Sequence, residues 1–169
     1  MLTQQDLIAD FGMKLATYLD DNERVKKFCQ DNFQKEPKIY VGEFLRRTIP
    51  TSKDCPYIII TELVKREGTR SAVDGYVQYY ATLYVGVSSE KGAMDAGKIS
   101  IYTGNRLLSE FMEIIEEELN ARNYSDRPLD QVEARIMGAI EPDGSHWGGT
   151  MECRWKFQQT LNTPYMEKF

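Results

Sequence analysis

Apolar and polar positions change their period twice along this chain. Over residues 3–19, Leu7, Ile8, Phe11, Leu15, Tyr18 and Leu19 recur at the i, i+3, i+4 spacing, which predicts an amphipathic helix. Asn22 then fits an N-cap, and Val25, Phe28, Cys29 and Phe33 form the stripe of a second short helix that Pro37 ends. No linker follows, so both helices are expected to pack on what comes next.

From Lys38 the pattern turns extended. KIYVGEFLRR (38–47) reads as a strand, and after the turn-rich TIPTSKDCP comes YIIITELVK (57–65), an apolar run expected to be a central strand buried on both faces. REGTRSAVDG (66–75) reads as a polar connection rich in turn formers. GYVQYYATLYVGVS (75–88) then alternates. Val77, Tyr79, Ala81, Leu83, Val85 and Val87 point one way; Tyr76, Gln78, Tyr80, Thr82, Tyr84 and Gly86 point the other.

SSEKGAMDAGK (88–98) reads as a mobile loop. After ISIYTG, with Thr103 as a cap, NRLLSEFMEIIEEELN (105–120) is the strongest helix. Leu107, Leu108, Phe111, Met112, Ile115 and Leu119 share one face, opposite Glu110, Glu113, Glu116 and Glu117. PLDQVEARIMGAI (128–140) and HWGGTMECRWKF (146–157) are two strands joined by the turn signal EPDGS, and TLNTPYMEKF (160–169) has no pattern. This order predicts an α+β fold, an antiparallel or mixed β-sheet with helices packed on one face. One domain is expected over 1–169, made of a helical segment 1–36, an α+β core 38–158 and a tail 159–169.

Composition narrows the function classes. At 169 residues with 41% hydrophobic side chains, the chain is of ordinary globular make-up. A net charge of −5 argues against a general nucleic-acid binder, which needs a basic surface. Cys29, Cys55 and Cys153 are odd in number and widely spaced, giving neither a disulfide framework nor a zinc pattern. MLTQQDLIADFGMK lacks the form of a secretory signal and no apolar run is long enough to span a membrane, so folding in a cytoplasm is expected.

Reactive residue types gather in HWGGTMECRWKF, which holds the single histidine and both tryptophans. Strand parity divides them. Trp147, Gly149, Met151, Cys153, Trp155 and Phe157 form the core face; His146, Gly148, Thr150, Glu152, Arg154 and Lys156 form the polar one. His146 and Cys153 therefore point to opposite sides, and His146 and Glu152 lie about 20 Å apart along one side, too far to share a metal. His146 itself is expected to be a solvated loop residue. If Ile140 faces Trp147, then Arg135 faces Glu152 and Glu133 faces Arg154, a charge ladder that accounts for these residues without chemistry.

GxSxG, HExxH and a Walker-type phosphate loop are all missing. In EIIEEELN the consecutive Glu116, Glu117 and Glu118 fan around a helix, which suits a solvated face better than a magnesium site. The tyrosine-rich side of 76–87 suits either packing under a helix or a protein interface.

The proline followed by an apolar strand (CPYIIITELVKREG), the long alternating strand ending in VGV, the helix of TGNRLLSEFMEIIEEEL and the W-G-G hairpin together resemble the tail terminator proteins of long-tailed bacteriophages and prophages. The similarity covers most of residues 38–158, as a pattern of elements and a few residues. It implies a structural subunit without enzymatic activity, and no catalytic, cofactor or metal residues. It also implies a homo-oligomeric ring, a hexamer in the virion tail and a monomer before assembly in the host cytoplasm, with a tail tube protein and a head-tail connector protein as partners. Neither a membrane nor a specific nucleic acid is expected. Subunit contacts are expected at Tyr76, Tyr80, Thr82, Tyr84, Arg154 and Lys156, and at Gly148 and Gly149, where the strand start looks bare. Two other classes stay open: a small enzyme or ligand-binding domain whose pocket lies between helices and sheet, with His146, Tyr80 and Glu152 as its polar groups, and an adaptor or immunity-type protein turning its acidic helix toward a basic partner.

Overall fold

The computed structural model describes residues 1–42, 50–71, 74–90 and 93–160. Helices α1 (Ile8–Asp21) and α2 (Glu23–Phe33) are followed by strand β1 (Lys38–Val41), a 3-10 turn (Ser52–Asp54), β2 (Tyr57–Thr69) and β3 (Asp74–Ser88). A ribbon of β4 (Ala93–Ala96) and β5 (Ile99–Tyr102) leads into α3 (Thr103–Leu119), and β6 (Leu129–Ala139) and β7 (His146–Thr160) close the chain's described part. The main sheet has the order β1-β2-β3-β7-β6, with β1 parallel to β2 and every other pair antiparallel. The fold is α+β with a mixed sheet.

The apolar stripes explain which face the helices cover. Phe11, Leu15 and Leu19 of α1, Val25 and Cys29 of α2, and Leu108, Phe111, Ile115 and Leu119 of α3 are fully buried. They meet one face of the sheet, made of Ile58, Ile60, Val77, Tyr79, Leu83, Met151, Cys153, Trp155 and Phe157, in one continuous core. Each large apolar side chain so withdrawn contributes roughly 1.5–3 kcal/mol. Helix α1 lies over β1 and β2, α3 over β3, β7 and β6, and α2 packs against the other two helices. Asn22 does cap α2, accepting from the backbone N–H of Arg24 and Val25 at 3.0 Å.

Several boundaries differ from the sequence reading, each for a local reason. Helix α1 starts at Ile8, and Leu7 and Ile8 are 67% and 44% exposed instead of core. The chain before it is tied elsewhere: Asp6 accepts from Thr3 N at 2.6 Å and from Lys14 Nζ at 2.7 Å. Residues 66–69, expected in a connection, extend β2, because β3 continues to pair with it down to Thr69↔Gly75. The segment expected as a mobile loop, 88–98, carries β4 and the turn at Gly97, with φ +68°, that pairs it with β5. Thr103 is the first residue of α3, with Tyr102 at the N-cap position. Residues 43–47 of the first expected strand and 161–169 of the tail lie outside the described residues.

Candidate functional site

The helices leave the sheet's second face uncovered. Rows of cross-strand neighbours run over it. Ile59, Tyr84 and Thr150 form one row, then Thr61, Thr82 and Glu152, then Val64, Tyr80 and Arg154, then Arg66, Gln78 and Lys156. Tyr76, Tyr80 and Tyr84, expected either under a helix or at a surface, stand on this open face and are half-buried by their neighbours.

At one end of the face the start of β7 is closed over. His146 is completely buried, which overturns the expectation of a solvated loop residue. Two segments enclose it: the 3-10 turn and the β6–β7 turn, joined where Ser52 N donates to Glu141 Oε1 at 3.0 Å. Tyr57 Oη lies 2.8 Å from His146 Nε2, and Glu141 Oε1 lies 3.7 Å from Nδ1, which has no hydrogen-bond partner. With the imidazole proton on Nδ1, Tyr57 donates to Nε2 and the N–H faces the Glu141 carboxylate from beyond hydrogen-bond distance. Burial lowers the histidine's pKa, opposed by the charges of Glu141 and Asp54, and burial likewise raises that of Tyr57. Beside the pair lies a cleft of about 420 Å³ with Ile59, Tyr84, Met137 and Ile140 among its walls. This cleft is on the open face, not between helices and sheet, and neither Tyr80 nor Glu152 is among the groups that line it with His146.

Two bulges in β6 redistribute the charges. Ala139 faces Trp147, Met137 is the extra residue between Ile136 and Gly138, and Asp130 is extra between Leu129 and Gln131. Consequently Arg135 faces Thr150 and Glu133 faces Glu152, so neither expected cross-strand pair forms. Arg135 instead bonds Glu133 on its own strand, and Arg154 pairs with Asp130. Gly138 has φ +103°, a conformation that glycine supplies at low cost.

The far end of the open face is cationic and aromatic. Arg66 sits 5.0 Å and Arg154 5.9 Å from the centre of the Tyr80 ring, and Lys156 lies 5.4 Å from that of Tyr76. Such contacts are worth about 0.5–1 kcal/mol each at exposed sites, enough to orient the side chains. A pocket of about 270 Å³ opens here between Arg66, Tyr80, Gln131 and Arg154, with Glu62, Thr82 and Glu152 at its other end. Glu62 is occupied by the Thr82 hydroxyl at 2.7 Å, and Arg154 Nε is buried without a hydrogen-bond partner.

Of the residues expected at subunit contacts, Tyr76, Tyr80, Thr82, Tyr84, Arg154 and Lys156 share the open face. The two glycines are not bare. Gly149 is buried against α3, where an added Cβ would lie 2.7 Å from Arg135 O and 2.8 Å from Met112 Sδ; Gly148 is buried beneath Ile140. Tyr57, Arg66 and Glu141 were missed. Plain alternation of β2 would have put Arg66 on the helix side with Ile58 and Ile60. The bulge between Thr61 and Val64, where Glu62 has φ +51°, reverses the parity and brings it to the open face. The meeting of Tyr57 and Glu141 at His146 depends on two turns distant in sequence.

Among the described residues no group of three or more His, Cys, Asp or Glu side chains is placed to hold a metal ion. Nor is any helix among the described residues long and apolar enough to cross a membrane. Compared with known protein families and with curated proteins, the chain's sequence matches none.

Proposed function

We propose that the chain is a structural subunit of phage or prophage virion assembly, a tail terminator that closes into a homo-oligomeric ring on the tail tube and docks to the head-tail connector. The observation that carries this reading is the open sheet face. Tyr76, Tyr80 and Tyr84 stand there without helix cover, and the edge strand β6 adds the exposed Met137, which lines the cleft of the same face. Aromatic side chains with polar handles and a free strand edge suit repeated contacts between proteins. The residue types most able to do chemistry are engaged elsewhere. The three thiols are buried and His146 is held by Tyr57. The test combines purified chain with tail tube protein and follows assembly by sedimentation and electron microscopy. Rings on tube ends are expected. A chain that neither self-associates nor binds the tube overturns the reading.

A second reading rests on the cleft beside His146: a small ligand-binding domain with Tyr57 and His146 as its polar anchors. Its walls are apolar enough for a small, largely apolar ligand. Thermal-shift screening of such compounds against the wild type and Tyr57→Phe decides it. A ligand that stabilises the wild type and not the variant supports it, and equal shifts in both chains reject it.

A further inference from the structure

Charge is divided between the two layers of this fold. Helices α1, α2 and α3 carry ten Asp and Glu against five Lys and Arg, an excess equal to the whole chain's net charge of −5. The excess has a focus. Arg24 bonds Glu117 and Glu118, and Asn22 Nδ2 donates to Glu118, each at 2.7 Å, which joins the start of α2 to the end of α3. Asp20, Asp21 and Glu23 therefore gather near Glu117, and Glu113 precedes it by one helical turn on the same face. Asp20, Asp21, Glu23 and Glu113 are exposed, with no cation paired to them among the described residues. On the opposite side of the molecule the sheet's cationic end holds Arg66 and Lys156, with no carboxylate paired to them among the described residues, beside Arg154, which pairs with Asp130.

We propose that a second copy of the chain docks the acidic helix corner at Asp20–Glu23, Glu113 and Glu117 onto the cationic, aromatic end of this sheet, head to tail. The inference rests on reading the chain as a self-assembling subunit and assigns that assembly its contact. Carboxylates of the incoming copy meet Arg66 and Lys156, while Tyr76 and Tyr80 supply contact area and Arg154, paired with Asp130, adds to the positive field beneath them. Two unlike patches joined in this way form a heterologous contact, which repeats and closes into a ring when its rotation permits. A nucleic acid fits the same surface less well. Glu62, Glu133 and Glu152 cross the middle of the face and repel a continuous phosphate backbone, whereas a helix corner engages the cationic end alone.

Two charge-reversed chains test the contact, R66E/K156E and D21K/E113K, all at surface positions, with circular dichroism as the control for folding. Sedimentation velocity is run at about 50 and 500 mM salt, where screening lengths differ severalfold. The wild type is expected to form salt-sensitive oligomers, and each variant to associate at least about tenfold more weakly. An equimolar mixture of the two variants retains one native contact and sets opposite charges against each other at the swapped one. The variants are therefore expected to associate with each other more strongly than either does alone, at least to a 1:1 dimer. The proposal is overturned if either variant assembles like the wild type, if the mixture stays monomeric, or if the wild type stays monomeric at both salt concentrations and with tail tube protein present. It is also overturned if R66E/K156E abolishes binding to a duplex DNA probe while assembly persists. Rings formed by all the chains would leave the assembly reading standing and remove only this contact.

Discussion

Replacing His146 by alanine probes the most tightly enclosed polar group of the fold. The imidazole has no solvent exposure, and its Nε2 is 2.8 Å from Tyr57 Oη. Its removal leaves a buried hydroxyl without a partner, about 1–3 kcal/mol, and opens a void whose cost depends on local collapse. A total of about 2–4 kcal/mol is expected, out of roughly 5–15 for a whole domain. Acidity supplies a more specific readout. An unfolded histidine takes up its proton near pH 6.5, and burial makes the folded one resist it. Below 6.5 the unfolded state binds more protons, so the contribution is complete above that pH and is lost on acidification. The slope is at most about 1.4 kcal/mol per pH unit. Asp6, Asp54 and Glu141 are held below their ordinary values of 3.8, 3.8 and 4.5 by hydrogen bonds and nearby cations, against the opposing effect of burial, so their losses begin lower. The interval between about pH 4.5 and 6.5 therefore belongs to His146. Urea unfolding followed by fluorescence at pH 8, 7, 6 and 5 measures it. The wild type should weaken on acidification and His146→Ala should not; a flat wild type, or an unchanged slope in the variant, refutes the reasoning.

Three further outcomes are expected. Gly149→Ala puts a Cβ 2.7 Å from a backbone oxygen and 2.8 Å from Met112 Sδ, so about 1–3 kcal/mol of stability should be lost in thermal melts. Burial pushes the thiols of Cys29, Cys55 and Cys153 up to about 12, so a thiol reagent at pH 8 should label none of them quickly in the native state and all three in urea. Asn22→Ala removes the cap of α2 and the hydrogen bond to Glu118, with an expected cost of about 1–2 kcal/mol by denaturant titration.

The parts legible in the sequence are those governed by nearest-neighbour periodicity. The 3.6-residue stripe of α3 and the two-residue alternation of β3 and β7 assign nearly every side chain of those elements to the correct layer, because burial on one face leaves a repeated signature. Parity also correctly separated His146 from Cys153. What was not legible depends on insertions or on distant closure. The extra residues Asp130 and Met137 shift β6 against β7, and only Gly138 hints at either bulge. The burial of His146 comes from the Ser52–Asp54 turn, nearly a hundred positions upstream, meeting Glu141. Gly149 is small not to bare a strand but to let α3 approach it. A pattern of residue types records which side a group faces, and says little about what folds over it.

The seam between β3 and β7 has a consequence for how the chain holds together. Its fifteen paired positions, from Asp74↔Thr160 to Ser88↔His146, join two local hairpins that are otherwise separate in sequence, β2–β3 and β6–β7. The backbone between them turns at Gly97 and Lys98, both exposed. A cut there removes no strand pairing within either hairpin, so the pieces 1–97 and 98–169 keep complementary edges, one bearing α1 and the other α3. Co-expressed, they are expected to recombine into a single species, which would make this protein a two-part reporter whose halves recognise each other along the long β3–β7 ladder and the short β4–β5 one.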